Sequence, residues 1–171
     1  AVPAFSPEVA ASATVALTAE GAKRAPWEAA GFRNFSEPAE PGETIEPAEG
    51  SGFAFDLLAD YTLAVRWQGD DPAPAALTIP AYGILNGVQY TVSAIANDAF
   101  AGQASIITVD MPDTITRIGE GAFDGCTGLK TVHLAGATKT IGSRAFAGTA
   151  LQSLVLPAGV AVIADEALAG L

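Results

Sequence analysis

One phrase recurs four times in the 171 residues of this chain. Ala99-Phe100-Ala101-Gly102 returns as Ala122-Phe123-Asp124-Gly125, as Ala145-Phe146-Ala147-Gly148 and as Ala167-Leu168-Ala169-Gly170. The aromatic or leucine position advances by 23, 23 and 22 residues. A period of that length marks a solenoid, because one such unit cannot bury its apolar face alone and must stack on its neighbours to build a continuous core.

Each unit divides into parts with separate roles. Ile106, Val109 and Met111 match Leu129, Val132 and Leu134, and then Leu151, Leu154 and Leu156. That spacing predicts three successive short strands with inward-facing ends and centres. Pro112 and Pro157 follow two of them, and proline ends a strand because it has no N–H to give to a ladder. Ile95, Ile118, Ile141 and Ile163 come next, each followed by Ala96, Gly119, Gly142 or Ala164. Alanine at two of these four positions argues for a small residue at a close backbone approach rather than for a left-handed conformation. Asn97, Glu120, Ser143 and Asp165 then stand where a one-turn helix would begin, and three of the four are good N-caps. The unvarying Gly102, Gly125, Gly148 and Gly170 predict a left-handed turn at its end. The phenylalanines point into the interior.

Upstream of the repeats the composition changes. Residues 1–50 contain eight Glu, no Asp and six of the eleven Pro, whereas residues 51–171 contain nine Asp and two Glu. The stretch 37–50 spaces proline through like charges and reads as an extended, self-repelling linker. Before it, Trp27, Phe32 and Phe35 form a small aromatic group, with Pro26 in place to begin a short helix that docks on the solenoid. Asn34-Phe35-Ser36 matches a glycosylation sequon. From residue 51, Phe53, Phe55 and Leu57 alternate, as do Tyr61, Leu63, Val65 and Trp67, with Ala59-Asp60 as the turn between two strands. Leu77-Thr78-Ile79-Pro80 opens the first coil, which is lengthened by a hairpin at Asn86-Gly87.

The expected domains are therefore an N-terminal segment and linker over 1–50, a β-hairpin cap over 51–76 and a solenoid of four coils over 77–171. Leu171 follows Leu168 by three residues, before another strand could begin. The spacing predicts an open edge prone to self-association, and further repeats or an anchor in a longer parent chain.

Charge and composition exclude several functions. A net charge of −11 argues against nucleic acid and anionic membrane surfaces. No apolar run is long enough to insert into a bilayer. The one cysteine, Cys126, permits no intramolecular disulfide and no thiol metal cluster. His133, the one histidine, lies on an outward strand position and reads as a solvated face residue, while Cys126 reads as core. Gly119-Glu120-Gly121 lacks the third glycine and the βαβ setting of a dinucleotide site. Asp110, Asp113 and Asp124 are too scattered for a calcium loop. The reading is of a non-enzyme, with no catalytic, cofactor-binding or metal-binding residues.

Ile118-Gly119-Glu120-Gly121-Ala122-Phe123-Asp124-Gly125-Cys126, followed by Leu129, Val132 and Leu134, resembles the BspA-type, or Treponema-type, leucine-rich repeats nearly in full. Ile141-Gly142 through Ala145-Phe146, with Leu151, Leu154, Leu156 and Pro157, matches without the cysteine. The first and last units depart further, with alanine after the isoleucine and Leu168 in place of phenylalanine. The resemblance covers residues 77–171 and not 1–50. It implies an α/β leucine-rich-repeat solenoid of ~23-residue coils, mostly short parallel strands with one-turn helices, behind an N-terminal antiparallel β cap. It further implies a secreted or cell-surface bacterial protein with a protein or glycan partner. The expected function is an extracytoplasmic binding or adhesion module; the alternative is a structural spacer in a larger surface protein whose activity lies elsewhere. The candidate partner-binding face comprises Thr108 and Asp110, Thr131 and His133, and Ser153 and Val155 on three strands, with Lys130 and Gln152 at its edge.

Overall fold

The computed structural model describes residues 14–16, 34–36, 44–45, 52–85 and 88–171. Their strands, in chain order, are β1 (Thr14–Ala16), β2 (Asn34–Ser36), β3 (Thr44–Ile45), β4 (Phe53–Leu57), β5 (Leu63–Trp67), β6 (Ala76–Thr78), β7 (Tyr82–Leu85), β8 (Val88–Ile95), β9 (Thr108–Asp110), β10 (Arg117–Ile118), β11 (Thr131–His133), β12 (Thr140–Ile141) and β13 (Val162–Ile163). The chain divides into two compact units. In the first, β1 and β2 pair in parallel, Val15 opposite Phe35. Trp27, Phe32 and the helix expected at Pro26 lie outside the described residues, as does the Asn86-Gly87 turn between the paired β7 and β8.

The second unit holds the coils. The first three coils each cross two sheets and then turn, and the last adds a strand, β13, to one sheet. One sheet has the order β11-β9-β6, all parallel, with Leu77, Val109 and Val132 in one register. The other runs β13-β12-β10-β8-β5-β4-β3, with Ile95, Ile118, Ile141 and Ile163 in register. Ile106, Val109, Ile115, Ile118 and Phe123 from one coil are all fully buried. This is how a unit of some two dozen residues acquires a core: three sides of each coil point inward, and the neighbouring coils close the ends.

The hairpin read from the two alternating runs is present, with Phe53 opposite Trp67 and Leu57 opposite Leu63. It continues the solenoid sheet, since β5 pairs in parallel with β8 and places Val65 opposite Ile95. Tyr61, expected at the head of the second strand, instead sits in the turn at φ 59°. Its N–H bonds the Leu58 carbonyl at 2.9 Å. The proposed linker is also corrected in part: Thr44 and Ile45 form β3 and pair with Asp56 and Phe55 of β4.

The one-turn helices are replaced by turns. The Ala-Phe-x-Gly phrase spends alternate N–H groups on the next coil instead of on its own backbone. Asp98, Phe100 and Gly102 donate to the carbonyls of Glu120, Ala122 and Asp124, each at 2.8 Å. Gly121, Phe123 and Gly125 donate in the same way to Ser143, Ala145 and Ala147 at 2.8–2.9 Å. Two residues of positive φ bracket the phrase in every coil: Asp98 (51°) and Gly102 (73°), Gly121 (58°) and Gly125 (69°), Arg144 (54°) and Gly148 (63°), Glu166 (56°) and Gly170 (95°). The left-handed glycine was legible; the second left-handed residue, one before the alanine, was not, because aspartate, arginine and glutamate fill it in three coils. Asn97, read as an N-cap, accepts through Oδ1 from the Glu120 N–H of the next coil at 3.0 Å.

Candidate binding face

The β6-β9-β11 sheet buries its central residues Leu77, Val109 and Val132 and turns their neighbours outward. Thr108 stands beside Thr131, and Asp110 beside His133, as the sequence spacing required. Strands of one sheet lie about 4.8 Å apart, so these side chains form a short ladder. His133 and Asp110 are joined, Nδ1 to Oδ1, at 2.5 Å, with side chains 65% and 49% exposed. The histidine is thus an exposed face residue paired across the sheet. Lys130 is exposed at the edge, and its N–H donates to the Ile107 carbonyl at 2.9 Å.

The third rung of the expected face is different. Residues 151–157 form no strand, and β11 has β9 as its only partner in this sheet among the described residues. Gln152, Ser153 and Val155 are exposed but do not extend the ladder. The physical reason is in the loop that delivers them. Four residue steps separate Gly102 from Ile106 and Gly125 from Leu129, but three separate Gly148 from Leu151. The bonds from Ala104 to Gly102 and from Thr127 to Gly125, both 2.8 Å, belong to the longer loop. Leu151 still reaches the core at 3% exposure, while Leu156 is 40% exposed. The ladder extends the other way, through β6: Ala76 lies beside Thr108 and Thr78 beside Asp110. Thr78 is the residue the site reading missed, although its strand, Leu77-Thr78-Ile79, was visible as the opening of the first coil.

Behind the face, Cys126 is fully buried, and its Sγ donates to the Phe100 carbonyl at 3.0 Å. Burial pushes its thiol up to about 11, which makes it a core residue rather than a nucleophile. Among the described residues no group of three His, Cys, Asp or Glu side chains could hold a metal ion. No helix among them is long and apolar enough to cross a membrane.

The coil geometry agrees with the comparisons. A profile described as the BspA type leucine rich repeat region (6 copies) matches residues 88–171. Those residues belong to the BspA-type leucine-rich repeats. A T. pallidum leucine-rich repeat protein of solved structure is 28% identical with a TM-score of 0.59, over 69% of this chain and 53% of that one. The chain thus spans about half the length of that relative. A leucine-rich repeat protein from Bacteroides capillosus is also 28% identical, with a TM-score of 0.61, over 68% of this chain and 86% of that one. The pneumococcal vaccine antigen PcpA shares the fold at 20% identity and a TM-score of 0.57, over 73% of this chain and 35% of that one. No curated protein matches the chain.

Proposed function

We propose that this BspA-type repeat region is a non-enzymatic binding module of a secreted or surface-attached bacterial protein, which recognises a protein or glycan partner outside the cell. The observation that carries this reading is the outward-facing ladder of exposed Thr78, Thr131 and His133 and half-buried Thr108 and Asp110, with Lys130 beside it, on strands whose opposite face is locked into the core. Hydrogen-bonding side chains at fixed spacing on a rigid sheet lose little conformational freedom on binding. Gln152, Ser153 and Val155 border this face rather than continue it. The hairpin of β4 and β5 serves as the cap of the first coil. Phe53 supports that role by meeting the Phe100 ring edge-on at 6.5 Å. The description of PcpA as a vaccine antigen supports an extracellular setting.

The test is binding to arrays of purified extracellular-matrix proteins and surface glycans. Asp110→Lys with His133→Glu moves the carboxylate from β9 to β11 and puts an ammonium in its former place. The double variant is expected to melt with the parent and to lose the partner. Unchanged binding would remove the strand face from consideration, and a parent that binds nothing on the arrays would favour the spacer reading.

A further inference from the structure

Arg117 and Lys139 stand on neighbouring rungs of the larger sheet, away from the strand face. Arg117 is in register with Ala94 on one side and Thr140 on the other. The Lys139 N–H donates to the Thr116 carbonyl at 2.8 Å, which sets Lys139 one rung beyond Thr116. Both basic residues line a cleft of about 530 Å³, and the turn from Leu58 to Asp60 forms another part of its wall. That volume is in the range of small-molecule sites, about 300–1,000 Å³.

Two features of the cleft point to a ligand. The first is its excess of positive charge: two cations, Arg117 and Lys139, share the cleft with one carboxylate, Asp60, whose charged form Arg117 helps to favour. Five of the eight Lys and Arg lie beyond residue 51. Arg66 meets Asp56 at 3.4 Å and Arg144 meets Asp124 at 2.8 Å. Arg117, Lys139 and, on the strand face, Lys130 form no ion pair among the described residues, although the chain carries a net charge of −11.

The second feature is an ordered row of hydroxyls ending in a carboxylate. Asp60 Oδ1 accepts from the Thr62 N–H at 3.1 Å and from the Thr62 hydroxyl at 2.7 Å. An ionised carboxylate only accepts, so the Thr62 proton points to Asp60, and Ser93 Oγ, 2.6 Å away, donates in turn to Thr62. These bonds hold the Asp60 carboxyl below its usual range, the Thr62 hydroxyl contributing most. Thr116 Oγ1 donates to the Ser93 carbonyl at 3.2 Å. Thr62, Ser93 and Thr116 thus spend their hydroxyl protons within the protein and leave acceptors on the Asp60 side, opposite cationic donors on the Arg117 and Lys139 side, while the Thr140 hydroxyl, also in the lining, has no partner.

We propose that this cleft binds an acidic saccharide, with the sugar carboxylate held by Arg117 and Lys139 and a sugar hydroxyl donating to Asp60. A sulfate or phosphate ion satisfies the basic half alone and is repelled by Asp60. A neutral sugar satisfies the acceptor half alone. A ligand with a carboxylate and neighbouring hydroxyls uses both halves. The site is separate from the strand face, so either can fail without the other.

The experiment is a titration of the 171-residue chain, followed by heteronuclear NMR, with sodium glucuronate, N-acetylneuraminate, glucose and sodium sulfate at matched ionic strength. Saturable shifts at Arg117, Thr116 and Ser93 are expected with at least one acidic sugar and not with glucose. Arg117→Gln with Lys139→Gln, both exposed, is expected to melt with the parent and to weaken that binding at least tenfold. Asp60→Asn is expected to weaken the acidic sugar and to strengthen sulfate, a reversal that a simple anion site would not show. Asp110→Lys with His133→Glu should leave the titration unchanged. Four results would overturn the proposal: no saturable binding, glucose binding as tightly, sulfate binding as tightly in the parent, or indifference to the Arg117 and Lys139 substitutions.

Discussion

The rings of Phe100 and Phe123 lie 5.2 Å apart with their planes 5° from parallel. Phe123 and Phe146 repeat the relation at 5.4 Å and 3°. Phe123 is therefore stacked on both faces and fully buried, with a coil on either side. Replacing a buried phenylalanine by alanine typically costs about 3–5 kcal/mol. Phe123→Ala is expected to lower the melting temperature by more than ~10 °C, since 1 kcal/mol corresponds to several degrees in a domain of this size. A melt within a few degrees of the parent would show that the stack contributes little. Phe53 meets Phe100 edge-on at 6.5 Å and is only half-buried, so Phe53→Ala is expected to cost less.

Gly119 and Gly102 are both glycine for different reasons, and substitution separates them. A Cβ on Gly119 would lie 2.6 Å from the carbonyl carbon and oxygen of Ala96, which are backbone atoms that cannot swing aside. A Cβ on Gly102 meets nothing within 4 Å, but the residue sits at φ +73°. Gly119→Ala is expected to cost about 1–3 kcal/mol through overpacking. Gly102→Ala is expected to cost about 1–2 kcal/mol through the left-handed backbone. Asparagine tolerates that backbone, so Gly102→Asn should recover part of the loss, whereas Gly119→Asn should be no better than Gly119→Ala. Urea titration of the four variants checks the pattern. Equal behaviour at the two sites would contradict it.

The repeat, its interior phenylalanines and the small residues at Gly119 and Gly142 were legible because each follows from a period or a packing limit that the sequence states directly. Local rules failed where the partner of a backbone group lies one coil away. Asn97 has the chemistry of an N-cap, but its Oδ1 accepts from Glu120 of the next coil. No rule read within one unit distinguishes these two acceptances. The candidate face was half legible for a related reason. The leucine pattern at Leu151, Leu154 and Leu156 predicts a strand, but strand formation also requires the loop before it to deliver the right register. One residue missing after Gly148 is a small signal beside three correctly spaced leucines. The Arg117 and Lys139 cleft left no local signature, since its parts are brought together by stacking and by the β4–β5 turn.

Cys126 gives a prediction in pH. Its ordinary value of 9.0 rises to about 11 on folding, mainly through burial. A group that holds its proton more tightly when folded stabilises the fold fully below pH ~9 and loses that contribution as the pH rises toward ~11. Between pH ~8 and ~10.5 the loss is about 2 kcal/mol. Urea titrations at those two pH values should therefore show a larger alkaline loss in the parent than in Cys126→Ala, which lacks the thiol. The same burial predicts slow labelling by iodoacetamide at pH ~8 in the native protein and fast labelling in denaturant. Rapid native labelling, or equal alkaline losses in the two proteins, would show the thiol to be open.

The end of the larger sheet at β13 predicts association. Val162 and Ile163 pair with Thr140 and Ile141 on one side, and among the described residues no strand pairs with them on the other. Val162 is 52% exposed, Ile163 45%, Leu156 40% and Leu171 44%, so an open hydrogen-bonding edge coincides with apolar side chains. An exposed edge of this kind is a template for another strand, and a charged residue on it is the common protection. The 171-residue chain is expected to self-associate with rising concentration, measured by multi-angle light scattering. Val162→Lys places a charge on the edge without touching the stacked phenylalanines and is expected to return the protein to a monomer with little change in melting temperature. A parent that stays monomeric at millimolar concentration, or a variant that associates as readily, would show that this edge is not where chains meet.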